Sequence, residues 1–182
     1  MDYRFGNRNK NKNFPATQGV ITEITPTGWS VPTGRGMRED GCQQMVSLET
    51  GDGGIVNFIV SADTFVLDFV NLRVGMEVMF FYDADAPVPM IYPPQYRAVA
   101  AARARRGQSV MVSFFGRDLV SSDGSLKLNM SRNVPVRTVN NQTFSGNPGD
   151  RYLMVVYDRS TRSIPAQTTP LEVVVLCGLS QE

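Results

Sequence analysis

The dipeptide tyrosine-aspartate occurs twice in this chain, as Tyr82-Asp83 and Tyr157-Asp158. Each pair is followed by a proline and then a glutamine, Pro93 and Gln95 in the first case, Pro165 and Gln167 in the second. Tyrosine rings offer stacking faces to a base, a sugar or another ring. The neighbouring carboxylates and amides add hydrogen-bonding groups. The first pair leads into Pro87-Val-Pro-Met-Ile-Tyr-Pro-Pro-Gln-Tyr96, where four prolines in eight residues fix φ and favour an extended polyproline path. The candidate binding residues are therefore Tyr82, Asp83, Tyr92, Gln95, Tyr96, Tyr157, Asp158 and Gln167. The plainer reading makes the same segment a rigid lid whose prolines and tyrosines close one end of a β-barrel. Pro93-Pro94-Gln95-Tyr96 also matches a PPxY peptide motif, but such a ligand must be accessible and extended. A segment built into a barrel is not expected to serve as one.

Catalytic chemistry finds little here. The chain has no histidine, which removes Ser-His-Asp and Cys-His machinery, histidine-ligated metals and a histidine proton switch. The only lysines are Lys10, Lys12 and Lys127, and the last falls on an expected strand. Asp83 and Asp85 form a local carboxylate pair, too few for calcium, which takes six to eight oxygens. Asp83 and Asp158 are expected to start a turn by accepting backbone amides. Gly51-Asp-Gly-Gly54 lacks the lysine and helix of a phosphate loop and reads as a hairpin turn. No catalytic residue, metal or cofactor is assigned, and a carboxylate hydrolase ranks last among the functions. Cys42 and Cys177 form no CxxC pair. They could bridge, but two buried free thiols are the expectation. Asn129-Met-Ser131 and Asn141-Gln-Thr143 match a glycosylation pattern that is frequent by chance and matters only in a secreted chain.

The elements that would position these residues recur. GDGGIVNFIVS at Gly51 is matched seventy residues on by SSDGSLKLNMS at Ser121, pairing Gly54 with Gly124, Val56 with Leu126, Phe58 with Leu128 and Val60 with Met130. Gly75 to Asp83 then faces Gly149 to Asp158 after a one-residue adjustment, so that Tyr82 meets Tyr157. Pro93 and Gln95 face Pro165 and Gln167, and Tyr96–Ala104 faces Thr168–Leu176. Anchors recurring in one order point to a tandem duplication. The expected layout is a basic disordered tail over 1–18, a first repeat over 19–104 and a second over 107–182.

Each repeat reads as short strands between turn signals. In the first they are expected at Gly19–Ile24, Gln43–Glu49, Ile55–Val60, Glu77–Tyr82 and Tyr96–Ala102, with a short piece at Thr64–Leu67. In the second they are expected at Ser109–Phe115, Asp118–Val120, Leu126–Met130, Arg151–Tyr157 and Leu171–Leu176. Arg97–Arg106 has the propensity of a helix, because alanine and arginine lose little entropy in one. Its repeat partner, Leu-Glu-Val-Val-Val-Leu176, is β-branched, so a strand is expected at Arg97–Ala102. The fold class is all-β, with two tandem small OB-like Greek-key barrels. The connection Ser61–Val74 has room for one or two helical turns, whereas its counterpart, with Pro135, is expected to be irregular.

Length and charge agree with this division. A chain of 182 residues with 42% hydrophobic and 19% charged residues is globular. The net charge of +1 is uneven. Residues 19–96 carry ten acids against three arginines, residues 97–107 four arginines and no acid. No apolar run reaches the roughly 20 residues of a membrane helix. The basic N-terminal segment is followed by no apolar leader core, so a cytoplasmic location is expected.

GVITEITP at Gly19, FYDADAPVPMIYPPQY at Phe81 and VVYDRSTRSIPAQTTPLEVVVL at Val155 resemble an uncharacterised tandem β-domain repeat of clostridial-type bacteria. The resemblance covers about residues 19–178. In that family the repeat often stands beside segments labelled copper amine oxidase N-terminal-like, in surface or secreted proteins, and it has no assigned activity. The resemblance implies a cell-envelope location, against the cytoplasmic expectation above. The function expected is a non-catalytic binding or structural module for a peptide, a glycan or another copy of the chain. Single-stranded nucleic-acid binding, favoured by the OB-like order and the arginines, ranks below it because the first repeat is acidic.

Overall fold

The computed structural model describes residues 12–28, 30–39 and 41–179. Among these the regular structure is β-strand, apart from one turn of 3-10 helix at Leu67–Phe69. In chain order the strands are β1 (Asn13–Phe14), β2 (Ala16–Thr27), β3 (Ser30–Thr33), β4 (Gly36–Glu39), β5 (Gln43–Glu49), β6 (Ile55–Val60), β7 (Phe65–Val66), β8 (Glu77–Tyr82) and β9 (Gln95–Arg103). They continue as β10 (Ser109–Phe115), β11 (Leu126–Leu128), β12 (Val136–Thr138), β13 (Arg151–Tyr157), β14 (Ala166–Thr168) and β15 (Glu172–Val175). The chain divides into an N-terminal unit, Phe14–Arg106, and a C-terminal unit that begins at Gly107 and takes in Asn13.

The N-terminal unit is a closed five-stranded barrel. Its sheet runs β6-β5-β2-β8-β9, and β6 closes on β9 in parallel, Asn57 opposite Gln95 and Ile59 opposite Arg97. Closure removes the open edges a sheet would otherwise expose. β2 serves both β5 and β8 because its ladder with β5 shifts register between Ile21 and Glu23, which bends the strand. Alternate residues point inward, and Ile21, Val46, Leu48, Phe58, Val78, Phe80, Ala98 and Ala101 form the core. The Arg-Ala run is the strand β9, not a helix. Ala98, Ala100, Ala101 and Ala102 are all buried, so the run is apolar on both faces rather than alternating. β7 lies parallel to β9, Val66 opposite Ala101.

The C-terminal unit joins a five-stranded sheet, ordered β1-β10-β13-β15-β12, to the parallel pair β11–β14. Phe115, Leu126, Leu128, Leu153, Val155, Val173 and Val175 fill its core. The strand expected at Asp118–Val120 shrinks to isolated bridges, Phe115 to Ser121 and Val120 to Lys127. Thr169-Pro170-Leu171 interrupts the last strand, leaving β14 on one side and β15 on the other. Proline has no N–H to give the ladder. The ladder resumes where the Leu171 amide donates to the Val156 carbonyl at 2.8 Å. The connection expected to be irregular carries β12, parallel to β15 with Val136 opposite Val173. Ladder partners correspond between the units. Val78 faces Arg103 and Phe80 faces Ala101 in one, while Leu153 faces Val175 and Val155 faces Val173 in the other.

Further departures concern the termini, one hairpin and the cysteines. The first long strand begins at Ala16, inside the stretch expected to be tail. Lys12 also accepts a bond from the Phe114 amide at 2.9 Å, so backbone pairing starts well before Gly19. The earlier tail residues lie outside the described ones. The β3–β4 hairpin, Ser30 opposite Glu39, was not foreseen. Cys42 and Cys177 are both exposed rather than buried, and Cys177 carries a free thiol. Each sits beyond a strand end, where the chain leaves the core.

The two hairpin turns are built alike. Asp52 Oδ1 accepts from the Thr50 hydroxyl and from the Gly54 amide at 3.0 Å. Asp123 Oδ1 accepts from the Ser121 hydroxyl at 2.6 Å, the Ser125 hydroxyl at 2.7 Å and the Ser125 amide at 3.0 Å. Gly53 and Gly124 follow these aspartates at φ 81° and 71°. Gly53, not Gly54, thus does the work of Gly124. Burial pushes the Asp123 carboxyl up, but the Ser121 and Ser125 donors together outweigh it and hold the group below its ordinary value. Its ionised form therefore stabilises the fold above the unfolded-state value, and that contribution is lost as pH falls through the lower native one. Asp123→Asn is expected to be less stable than the parent at neutral pH and to lose less stability between about pH 5 and about pH 2. Urea midpoints across a pH series check this, and equal acid slopes would contradict it.

Candidate functional site

The eight candidate residues fall into three groups. Tyr82, at the end of β8, and Tyr96, on β9, lie with ring centroids 4.3 Å apart, and Phe58 packs within 6 Å of both. Both are half-buried and lean on the barrel core. Gln95 pairs with Asn57 across the closing seam. Asn57 is itself tied, its amide donating to the Pro94 carbonyl at 2.9 Å and its side chain accepting from the Ser47 hydroxyl at 2.8 Å. With Gln95 and Tyr96 locked into a ladder, Pro93-Pro94-Gln95-Tyr96 is not presented as a PPxY ligand. Asp83 half-buries and accepts from the Asp85 amide at 2.9 Å, the turn-starting bond expected of it.

Tyr157, Asp158 and Gln167 belong to the C-terminal unit. Tyr157 packs against that core, and Asp158 is exposed. The Gln167 amide donates to Thr161 Oγ1 at 2.9 Å, and its side-chain oxygen accepts from Asn129 Nδ2 at 3.2 Å. Gln95 and Gln167 occupy corresponding places, opposite Asn57 on β6 and Lys127 on β11. The peptide bonds Tyr92–Pro93 and Ile164–Pro165, two residues before each glutamine, are both cis.

Tyr92 stands apart from the other candidates, 85% exposed on the loop between β8 and β9. It has company that the sequence reading did not single out. Met90 is fully exposed, Ile91 is 54% and Val88 44% exposed. Large apolar side chains are normally buried, and a contiguous exposed group marks an interaction surface. Proline explains how they stay out. Pro87, Pro89, Pro93 and Pro94 have no N–H, so the loop cannot be drawn into the sheet. The Ile91 amide donates to the Pro89 carbonyl at 3.0 Å, a three-residue turn with Met90 at its tip. The signal in the sequence was apolar residues alternating with prolines, a spacing no strand or helix can bury.

The corresponding loop between β13 and β14 is polar. Arg159, Ser160, Thr161, Arg162 and Ser163 are exposed, and only Ile164, at 95%, is a large apolar group. It is fastened by the Thr161 amide to the Gln167 carbonyl at 2.9 Å and by the Ser163 hydroxyl to the Pro165 carbonyl at 2.8 Å.

Two clefts lie elsewhere. One of about 270 Å³ is walled by Phe114, Arg151, Tyr152, Leu176, Cys177 and Leu179. The other, beside Glu49 and Glu77, is bridged by Gln18 Nε2 donating to Glu77 at 2.7 Å. Neither includes a candidate residue. Among the described residues no three histidine, cysteine or acidic side chains gather as a metal site would need. No helix among them is long and apolar enough to cross a membrane. No family model, no curated protein and no solved structure matches the chain, so none of these comparisons links it to the clostridial repeat.

Proposed function

We propose that the chain is a non-catalytic binding module of two OB-like barrels derived from one duplicated unit, with the Val88–Tyr92 loop as its contact element. The barrel order supports the OB-like reading. Counting β2, β5, β6, β8 and β9 as strands one to five, neighbours run 1-2-3-5-4 and back to 1, with strands three and five parallel. The loop between strands four and five is one that OB folds use for ligands. The duplication draws support from the shared ladder partners, the paired aspartate turns and the parallel pieces β7 and β12. The loop sequences resembling the clostridial-type repeat fit the same picture, and that repeat brings no activity of its own.

The observation that carries the reading is the exposure of Val88, Met90, Ile91 and Tyr92 on a proline-fixed loop. Fixed backbone lowers the ordering cost of binding. The chemistry favours a peptide or protein partner. Aliphatic side chains do not stack on bases or sugar rings as aromatic ones do. A carboxylate hydrolase finds no support, since Asp83 is taken up by its own turn.

The test is a binding panel on the full chain at low salt, with short peptides, glycans and an oligonucleotide as probes. Peptide hits are expected, and V88S/M90S/I91S/Y92S should weaken them about tenfold or more while shifting Tm by no more than about 2 °C. An oligonucleotide bound equally by parent and variant, with no peptide hit, would overturn the reading.

A further inference from the structure

Of the seven basic residues from Gly107 onward, three are taken up within the C-terminal unit. Arg117 pairs with Asp150 at 3.4 Å, Arg137 with Glu172 at 2.8 Å, and the Arg151 guanidinium lies 5.2 Å from the centre of the Phe144 ring. The other four, Lys127, Arg132, Arg159 and Arg162, make no ion pair or ring contact among the described residues. The arginines are exposed and Lys127 is half-buried. The ladder gathers these four. Lys127 on β11 stands opposite Gln167 on β14. On the far side of Gln167, the Thr161 amide donates to the Gln167 carbonyl at 2.9 Å, and Thr161 Oγ1 accepts from the Gln167 amide at 2.9 Å. That lays the loop bearing Arg159 and Arg162 alongside β14, two strand spacings or about 10 Å from Lys127. Arg132 stands on the turn that leaves β11, where the Val134 amide donates to the Ser131 carbonyl at 3.2 Å. Among these cations Asn129 Nδ2 donates to Gln167 Oε1. The Asn129 side-chain oxygen and the Gln167 side-chain nitrogen make no hydrogen bond among the described residues, and both side chains are exposed.

We propose that the β11–β14 seam binds a single strand of nucleic acid, a second site on the unit that does not carry the Val88–Tyr92 loop. Lys127, Arg132, Arg159 and Arg162 take consecutive phosphates, and the Asn129 and Gln167 amides meet base edges that only an unpaired strand leaves open. The acidity that ranked nucleic acid low belongs to residues 19–96. Residues 125–132 and 158–168 hold the four cations against Asp158 alone. The same segments argue against other ligands. They contain no aromatic residue on which a neutral sugar could stack. Ile164 is their one large apolar group that is exposed, too little to seat the chain on a membrane. Without an aromatic platform the strand is held through its phosphates, so binding is governed by salt.

Fluorescence anisotropy of a short labelled single strand of mixed sequence, titrated with the full chain, tests this. Four phosphate contacts should make the affinity fall about fiftyfold between about 50 and about 200 mM salt. R159Q/R162Q and K127Q/R132Q each remove two contacts. Each should bind about tenfold or more weakly at low salt, and lose only about sevenfold over the same salt range. Circular dichroism checks that both variants fold, and R159Q/R162Q changes only exposed side chains. V88S/M90S/I91S/Y92S should bind the strand as the parent does. A sulfated glycan, vesicles containing phosphatidylserine and a duplex of the same sequence are titrated alongside. Tighter binding to any of the three than to the single strand would overturn the proposal. So would a parent that binds no strand at low salt, or a salt dependence that neither variant lowers. The peptide panel judges the Val88–Tyr92 loop separately, since either site can fail while the other binds.

Discussion

Replacing Phe58 by alanine is expected to cost the N-terminal barrel about 3–5 kcal/mol. Phe58 is fully buried and stacks on Phe80 with centroids 4.8 Å apart. It also stands at the seam that closes the barrel, opposite Val46 of β5 on one side and Tyr96 of β9 on the other. Alanine would remove the ring that Phe80, Tyr82 and Tyr96 all touch, leaving a cavity their backbones cannot collapse into without opening the seam. Phe58→Leu, which refills most of the space, should cost about 1–2 kcal/mol. Urea unfolding followed by near-ultraviolet circular dichroism reads both. An unchanged midpoint for Phe58→Ala would mean that the seam does not hold the barrel.

The second large effect runs against strand propensity. Gly19 lies inside β2, where valine would ordinarily be the better residue by up to about 1 kcal/mol. A Cβ at Gly19 would lie 2.5 Å from the Glu49 carbonyl oxygen and 3.3 Å from the Leu48 Cβ. The nearest obstacle is backbone of the neighbouring strand, so no side chain can turn away to make room. Gly19→Val should therefore destabilise by about 2–3 kcal/mol, with β5 forced off its ladder. A variant as stable as the parent in the same urea assay would show that β2 and β5 can separate locally at no cost.

Both predictions draw on features that sequence patterns carried unevenly. The strands Gln43–Glu49, Ile55–Val60, Glu77–Tyr82, Ser109–Phe115 and Arg151–Tyr157 form with the expected bounds, because alternation toward one core encodes them. β9 was legible only through its likeness to the Leu171–Leu176 segment. Its own alanines favour a helix, and what overrides them is burial on both faces. Pro170 was visible, but its effect was not, since a missing amide matters only where a neighbour would have accepted it. β7 and β12, two and three residues long, have no period to detect. At the site, Tyr82 and Tyr96 were drawn in by type, yet the core had a use for them. Val88, Met90 and Ile91 went unremarked because apolar residues are expected inside. The prolines on either side, which hold them out, were the signal.

The most direct test of the whole account is hydroxyl-radical footprinting of the full chain, dilute and alone, then in an extract of the cells that make it. Oxidation of Met90 and Tyr92 should fall about threefold or more in the extract, as expected when a contact excludes water. Phe69, 62% exposed on the 3-10 turn, should be oxidised as before. Met90 and Tyr92 oxidised equally in both, with protection elsewhere, would mean that the chain binds through another surface and that its exposed loop is not the contact element.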